Sequence, residues 1–251
     1  AAPPAPPPDP GRRRLRGLHA LGGVVAAAAA SDPVADPDDP ELLLAHRATY
    51  GPSDHRLGPN AQIGPAAWVV EQCAPETLDT SAIDAKVAEL PALTMTPAEL
   101  RDSYPENEIA LASFQLQIAT GARRLESPAQ LYERMVEFWS DHFNIHLLNG
   151  LDPTLKPEDD RQVIRTHALG NFRDLLHASA KSPAMLFYLD NFFNQAAAPN
   201  ENYARELLEL HTLGVDGGYT ETDVKEVARC FTGWSIRFPG DPGGSYGSFV
   251  F

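Results

Sequence analysis

The sequence predicts an all-α protein of packed antiparallel helices joined by short capped loops. Three observations carry this. From Glu41 onward, apolar residues recur at three- and four-residue steps, the period of a helix with one buried face. Helix starts are spelled out as a cap followed by proline, in Thr96-Pro97-Ala98-Glu99, Ser127-Pro128-Ala129-Gln130 and Ser182-Pro183. No stretch alternates with period two for long enough to build a sheet.

The first forty residues stand apart from that pattern. Ala1 to Pro10 are mostly Ala and Pro, with nothing to bury. Arg12-Arg13-Arg14-Leu15-Arg16, a short apolar run to Ala30 and the small residues Ala28-Ala29-Ala30 have the three parts of an export signal, and the paired arginines point to the twin-arginine route. A disordered tail that carries four arginines is the plain alternative. The run is too short to span a bilayer, so no membrane span is expected. Residues 31–40 read as a stiff acidic linker. Residues 1–40 are thus expected to be signal and disordered Pro/Asp-rich linker, and 41–251 a helical domain, incomplete because its apolar end is uncapped.

In order, the expected helices begin with the Thr96 capping box. A long one follows over 128–147, with Leu131, Met135, Phe138, Trp139, Phe143 and Leu147 on one face. The next runs from Pro157 to Gly170, and Asn171 caps another through Leu175 and Leu176. Met185, Leu186 and Leu189 mark a short helix. Residues 199–213 form the next, closed by Gly214, and Thr220 or Thr222 caps the last, which ends at Gly233. Ser248 to Phe251 could be one strand.

Composition narrows the function. The chain has 251 residues, 20 Lys and Arg against 34 Asp and Glu, and a pI near 4.9. A net charge of −14 repels polyanions, so no nucleic-acid partner is expected. Cys73 and Cys230 lack metal-ligand spacing; Cys230 reads as core, and a bond to Cys73 is allowed but not required. There is no Gly-x-Ser-x-Gly elbow, phosphate loop, His-Glu-x-x-His or dinucleotide fingerprint.

Three polar clusters remain. His142 and His146 are four apart and could share a metal, or be a hydrogen-bonded core residue and a helix-end charge. His167 precedes a helix-ending glycine, beside Asn171, Arg173 and Asp174, and could be catalytic or only structural. Asn202, Glu206 and Glu209 lie on one face near Leu210 and Leu213, so the carboxylates are expected to point inward, with Arg205 and His211 beside them. Such a set suits a carboxylate-bridged metal site or a buried ion-pair lattice. The residues singled out are Glu206, Glu209 and His167 for catalysis, Arg173, Arg205 and Asn202 for substrate, and His142, Glu206, Glu209 and His211 for a divalent metal ion. Tyr246 and Phe249 could line a binding surface.

These clusters, in this order, resemble the bacterial domain of unknown function 1800 family. The matching stretches include 44–52, 134–143, 167–176, Tyr188 to Asn191, 200–214, Gly218 to Glu221 and Phe231 to Trp234. The resemblance implies an exported, mostly helical bacterial protein, often with a twin-arginine signal, whose gene often neighbours one for a sulfatase-like protein. It supplies no settled activity. It implies a longer protein, since members usually continue with a His-Asp-x-Gly-x-Lys-like stretch. His142, His167, Glu206, Glu209 and His211 match the family's polar set, whereas Ser140 stands where the family often has His, and His146 where a small or polar residue is expected. Two readings follow. One is a metal- or carboxylate-dependent enzyme acting on an extracytoplasmic substrate; the other is a non-catalytic scaffold or partner of the sulfatase-like secreted protein.

Overall fold

A computed structural model describes residues 40–51 and 63–251. Of the signal and linker expected over 1–40, residues 1–39 lie outside the described residues, and Pro40 opens the first helix instead of ending the linker. The described chain is mostly helical, with one two-stranded sheet, as the periodicity predicts. The helices are α1 (Pro40–Ala48), α2 (Pro65–Gln72), α3 (Ser81–Val87), α4 (Pro97–Ser103), α5 (Ala110–Glu126), α6 (Gln130–His142), α7 (Asp152–Asp159), α8 (Phe172–Ala180), α9 (Pro183–Tyr188), α10 (Asn202–Glu206) and α11 (Glu221–Cys230).

The capped starts are local chemistry, and most form as written. The Thr96 hydroxyl accepts from the Glu99 amide while the Glu99 carboxylate accepts from the Thr96 amide, a full capping box. Thr220 and Asp223 repeat it at α11, and Asn171 caps α8. Ser182 precedes α9, but its hydroxyl is turned away to Asp159, 2.5 Å off. At Ser127 the expected start slips to Gln130, because the Gln130 amide folds back to donate to the Ser127 and Arg124 carbonyls.

Two helices change pitch midway. α7 starts at Asp152, five residues before the expected Pro157, and carries that proline inside it. A proline within a helix removes one donor and crowds the preceding turn. Three residues later the helix widens into a π-turn over Asp160–Arg165. α10 widens likewise over Leu207–Thr212. In each, a threonine hydroxyl donates to the carbonyl five residues back: Thr166 to Arg161 at 3.0 Å and Thr212 to Leu207 at 2.6 Å. The second π-turn ends at Gly214, whose φ of +87° suits glycine.

α6 is shorter than expected. It stops at His142, and the chain leaves it extended, burying Phe143 and Ile145 and exposing Asn144 and His146. His142 and His146 therefore do not share a helical face. Ser235–Ile236 (β1) pairs antiparallel with Phe249–Val250 (β2), so the C-terminal strand finds a partner. In the loop between them, Tyr246 is buried, its hydroxyl 3.0 Å from that of Thr154 and its ring under Arg101; it anchors the loop and lines no surface. Gly247 beside it has φ +75°, and a Cβ there would sit 2.6 Å from Pro97. Cys73 and Cys230 are both exposed free thiols, Cys230 because it lies across α11 from buried Val224 and Ala228.

The main core gathers Val136, Phe143, Leu155, Ile164, Leu175, Leu186, Tyr203 and Ile236, ringed by Trp139, Phe192 and Trp234. α5 packs on α7, α3 and α6, and Ile83, Val87 and Leu90 meet Ala119 and Ala122 in a smaller core. Among the described residues, no helix is long and apolar enough to cross a membrane.

Candidate functional site

The C-terminal π-turn gathers two of the expected residues. His211 is buried, its ring centroid 5.0 Å from that of Phe143 and 6.1 Å from that of His142. The His142 Nε2 lies 3.1 Å from the His211 carbonyl oxygen. His211 Nδ1 is buried with no hydrogen-bond partner, as is the hydroxyl of Tyr203, whose ring is 6.4 Å away. Burial, and then the charge on His142, push the His211 pKa down to about 4, so its ring is neutral at physiological pH.

The carboxylates of the same segment face elsewhere. Leu210 and Leu213 are more than half exposed, so their face is not the core face, and Glu206 and Glu209 are half-buried. Arg205 donates to Glu209 at 3.3 Å, Glu201 at 3.3 Å and Glu221 at 2.7 and 2.9 Å, a lattice that ties α10 to α11. Burial, reinforced by Glu209, holds the Glu206 carboxyl above its ordinary range. Asn202 donates to Asp190 at 3.2 Å and is exposed. His167 sits half-buried at the end of the helix after the first π-turn, and Arg173 is exposed on α8 without an ion-pair partner among the described residues. Among the described residues, no group of three or more His, Cys, Asp or Glu side chains is placed to hold a metal ion.

A different site lies between α5, α6 and α7. It is a cleft of about 320 Å³ lined by Gln117, Gly121, Ser140, Asp141 and Asn144 at its mouth, with Glu133, Lys156 and Asp160 in its wall. These wall charges are nearly withdrawn from water. The side chain of Glu133 is 3% exposed and that of Lys156 7%. Arg165 clamps both oxygens of Glu133 at 3.1 Å and holds Asp160 at 2.9 Å through Nε. Burial works against the Arg165 charge, but Asp160 and Glu133 hold its pKa above the ordinary value. Lys156 donates to Asp159 at 2.5 Å, and Ser182 donates to the other oxygen of Asp159. Higher in the cleft, Glu137 is shared by Arg124 and Arg134, each at 3.0 Å. Among the described residues, Asp141 forms no ion pair.

The family model for a protein of unknown function, DUF1800, matches residues 43–251. The chain belongs to this family. No curated protein and no solved structure matches it.

In this DUF1800 chain the residues that wall the cleft were hidden from the sequence by distance. Glu133 and Arg165 are 32 positions apart, and nothing local pairs them. The apolar stripe of α6 points to Leu131, Met135 and Phe138, yet the most buried face of that helix is Gln130, Glu133 and Val136. One signal was available: Pro157 within a helical pattern, followed by Asp159-Asp160 and Arg165, marks an irregular and charged turn.

Proposed function

We propose that the protein is an exported bacterial enzyme of carboxylate chemistry whose substrate site is the cleft between α5, α6 and α7. The observation that carries this reading is that buried charges open onto a cavity. A lattice that only fixes helix register needs no such space beside it, and buried ion pairs are a poor source of net stability. A fixed array of ionised groups around a cleft suits a polar substrate, because its dipoles are oriented before the substrate arrives. In this reading Asp141 is the carboxylate free to take or give a proton, while Ser140 and Asn144 position the substrate beside it. The Glu133, Asp160 and Arg165 cluster holds the wall rigid behind them.

The test is a thermal-shift screen of the exported protein against polar metabolites and cell-envelope oligomers, run beside Asp141→Ala and Asn144→Ala. Both residues are at the exposed mouth, so the variants should fold. A compound that raises the melting temperature of the parent and not of the variants supports the reading. A shift of equal size in all three proteins places the ligand elsewhere and rejects it.

A second reading, the non-catalytic partner of a sulfatase-like secreted protein, has one observation in its favour. Phe138, Leu169, Phe172, Leu210 and Leu213 are each at least 40% exposed, and Phe138 and Phe172 are in ring contact with His142. Exposed apolar residues of this kind are the raw material of a contact surface. Co-purification with that neighbour, lost on Phe138→Ser and Phe172→Ser, would favour it over the enzyme.

A further inference from the structure

Apart from Asp141 at the mouth, the charges around the cleft are paired. Glu133 and Asp160 share Arg165, Lys156 is met by Asp159, and Glu137 lies between Arg124 and Arg134. A strongly anionic ligand would face a wall whose cations are already engaged and would have to displace their partners, and a polycation would find one unengaged carboxylate, Asp141. What the mouth offers instead is neutral and directional. The Gln117 amide, the Ser140 hydroxyl and the Asn144 amide make no side-chain hydrogen bond to another described residue, and they stand with the unpaired Asp141 carboxylate around one opening. Amides and hydroxyls both donate and accept, and a carboxylate accepts twice. That is the complement of vicinal hydroxyl groups, each of which also donates and accepts.

Two features of α5 agree. Phe114 is 51% exposed and lies three residues before Gln117 and seven before Gly121, on the same helical stripe. The ring does not line the cleft itself but stands one helical turn from Gln117 at its mouth, where it offers an apolar surface to the C–H face of a sugar that extends out of the cleft. Gly121 itself has no conformational need to be glycine, since its φ is not in the left-handed region, and a Cβ there would meet nothing within 4 Å. A glycine inside a helix destabilises it by about 1 kcal/mol relative to alanine. Packing does not explain this one; the open space it preserves is the cleft.

We propose that the cleft is a saccharide subsite, taking one or two rings of a neutral glycan. The proposal rests on the cleft being the substrate site and names the class of substrate. The volume, about 320 Å³, is at the lower end of the range for small-ligand sites and fits a short sugar better than a long chain.

Isothermal titration calorimetry of the full chain tests it, with cellobiose, maltose and N,N′-diacetylchitobiose as sugar probes and spermidine and inorganic phosphate as charged ones. The expected result is saturable binding of at least one disaccharide and of neither charged probe. Gly121→Leu, which projects a four-carbon side chain into the cleft, and Asn144→Ala should each weaken that binding by about tenfold or more, as loss of space or of hydrogen bonds to the ligand predicts. Gly121→Ala keeps the helix at least as stable and narrows the cleft by one methyl group, so it reports on the same point if the leucine variant does not fold. Sugar binding that is unchanged in Gly121→Ala and Asn144→Ala would overturn the proposal. Binding of spermidine or phosphate alone, sensitive to the same substitutions, would overturn the saccharide class and leave the cleft as a substrate site. Silence from every probe would count against both.

Discussion

His211 shows what a buried imidazole does to a protein's acid response. The unfolded chain takes up its proton near pH 6.5, whereas the folded chain resists until about pH 4, because burial and the neighbouring His142 both disfavour the charge. Between those values the unfolded state binds more protons, so this group makes stability fall as the pH is lowered from 6.5 to 4, and adds nothing further below that. The effect is on the order of 3 kcal/mol. Urea unfolding across that window should therefore show a shallower acid loss in His211→Phe than in the parent; parallel curves would mean the ring is not held neutral. At Glu133 the sign of the lesson differs. Replacing Arg165 by methionine strands buried Asp160 and leaves Glu133 only the longer pair to Arg123, 3.9 Å away, and should destabilise by about 3–5 kcal/mol, while apolar replacement of Glu133, Asp160 and Arg165 together should recover much of that loss. The sequence displays these residue types but not their partners. Arg205 was legible as an ion-pair lattice because Glu201 and Glu209 are one turn away on either side, whereas Arg165 reaches Glu133 only once two helices have packed.

Helices that begin with a local signal were the legible ones. Thr96, Asn171 and Thr220 each satisfy an amide within three residues, so the chemistry is complete in the sequence itself. Thr96→Ala and Thr220→Ala should each lower stability by about 1 kcal/mol, read as a shift in urea midpoint at unchanged slope. The π-turns were not legible, since a widened turn follows from what the helix must reach. The turn over 207–212 carries His211 into the aromatic cluster of Phe143 and Tyr203 while Leu210 and Leu213 stay outside. Its threonine offers a handle. Thr212→Val keeps the shape and deletes the 2.6 Å bond to the Leu207 carbonyl, so amide exchange should quicken at Leu213 and Gly214, whose N–H groups bond Leu208 across the widened turn. Exchange equal to the parent's would show that packing alone holds the turn.

At the scale of the whole molecule, the break near residue 40 divides two kinds of information. From Glu41 on, the sequence spends its apolar residues on helical faces that bury one another, and the family match begins at residue 43. Before it, prolines, alanines and aspartates offer little to a core, and the arginines at 12–14 and 16 are the ones to which the proposed export is assigned. If that division is real, stability and destination are separable. Removing residues 1–39 should leave the thermal midpoint of the helical domain unchanged, because their Ala-, Pro- and Asp-rich sequence offers little apolar surface to bury. Conversely, Arg12→Lys with Arg13→Lys keeps every charge and should stop export of a folded reporter fused to residues 1–40, since a twin-arginine receptor distinguishes arginine from lysine by its planar fork of donors. Export that survives the double lysine change would assign these arginines to an ordinary basic tail. An export failure accompanied by unchanged folding would instead place the cleft where an extracytoplasmic glycan can reach it, and so bring the substrate class and the destination into one account.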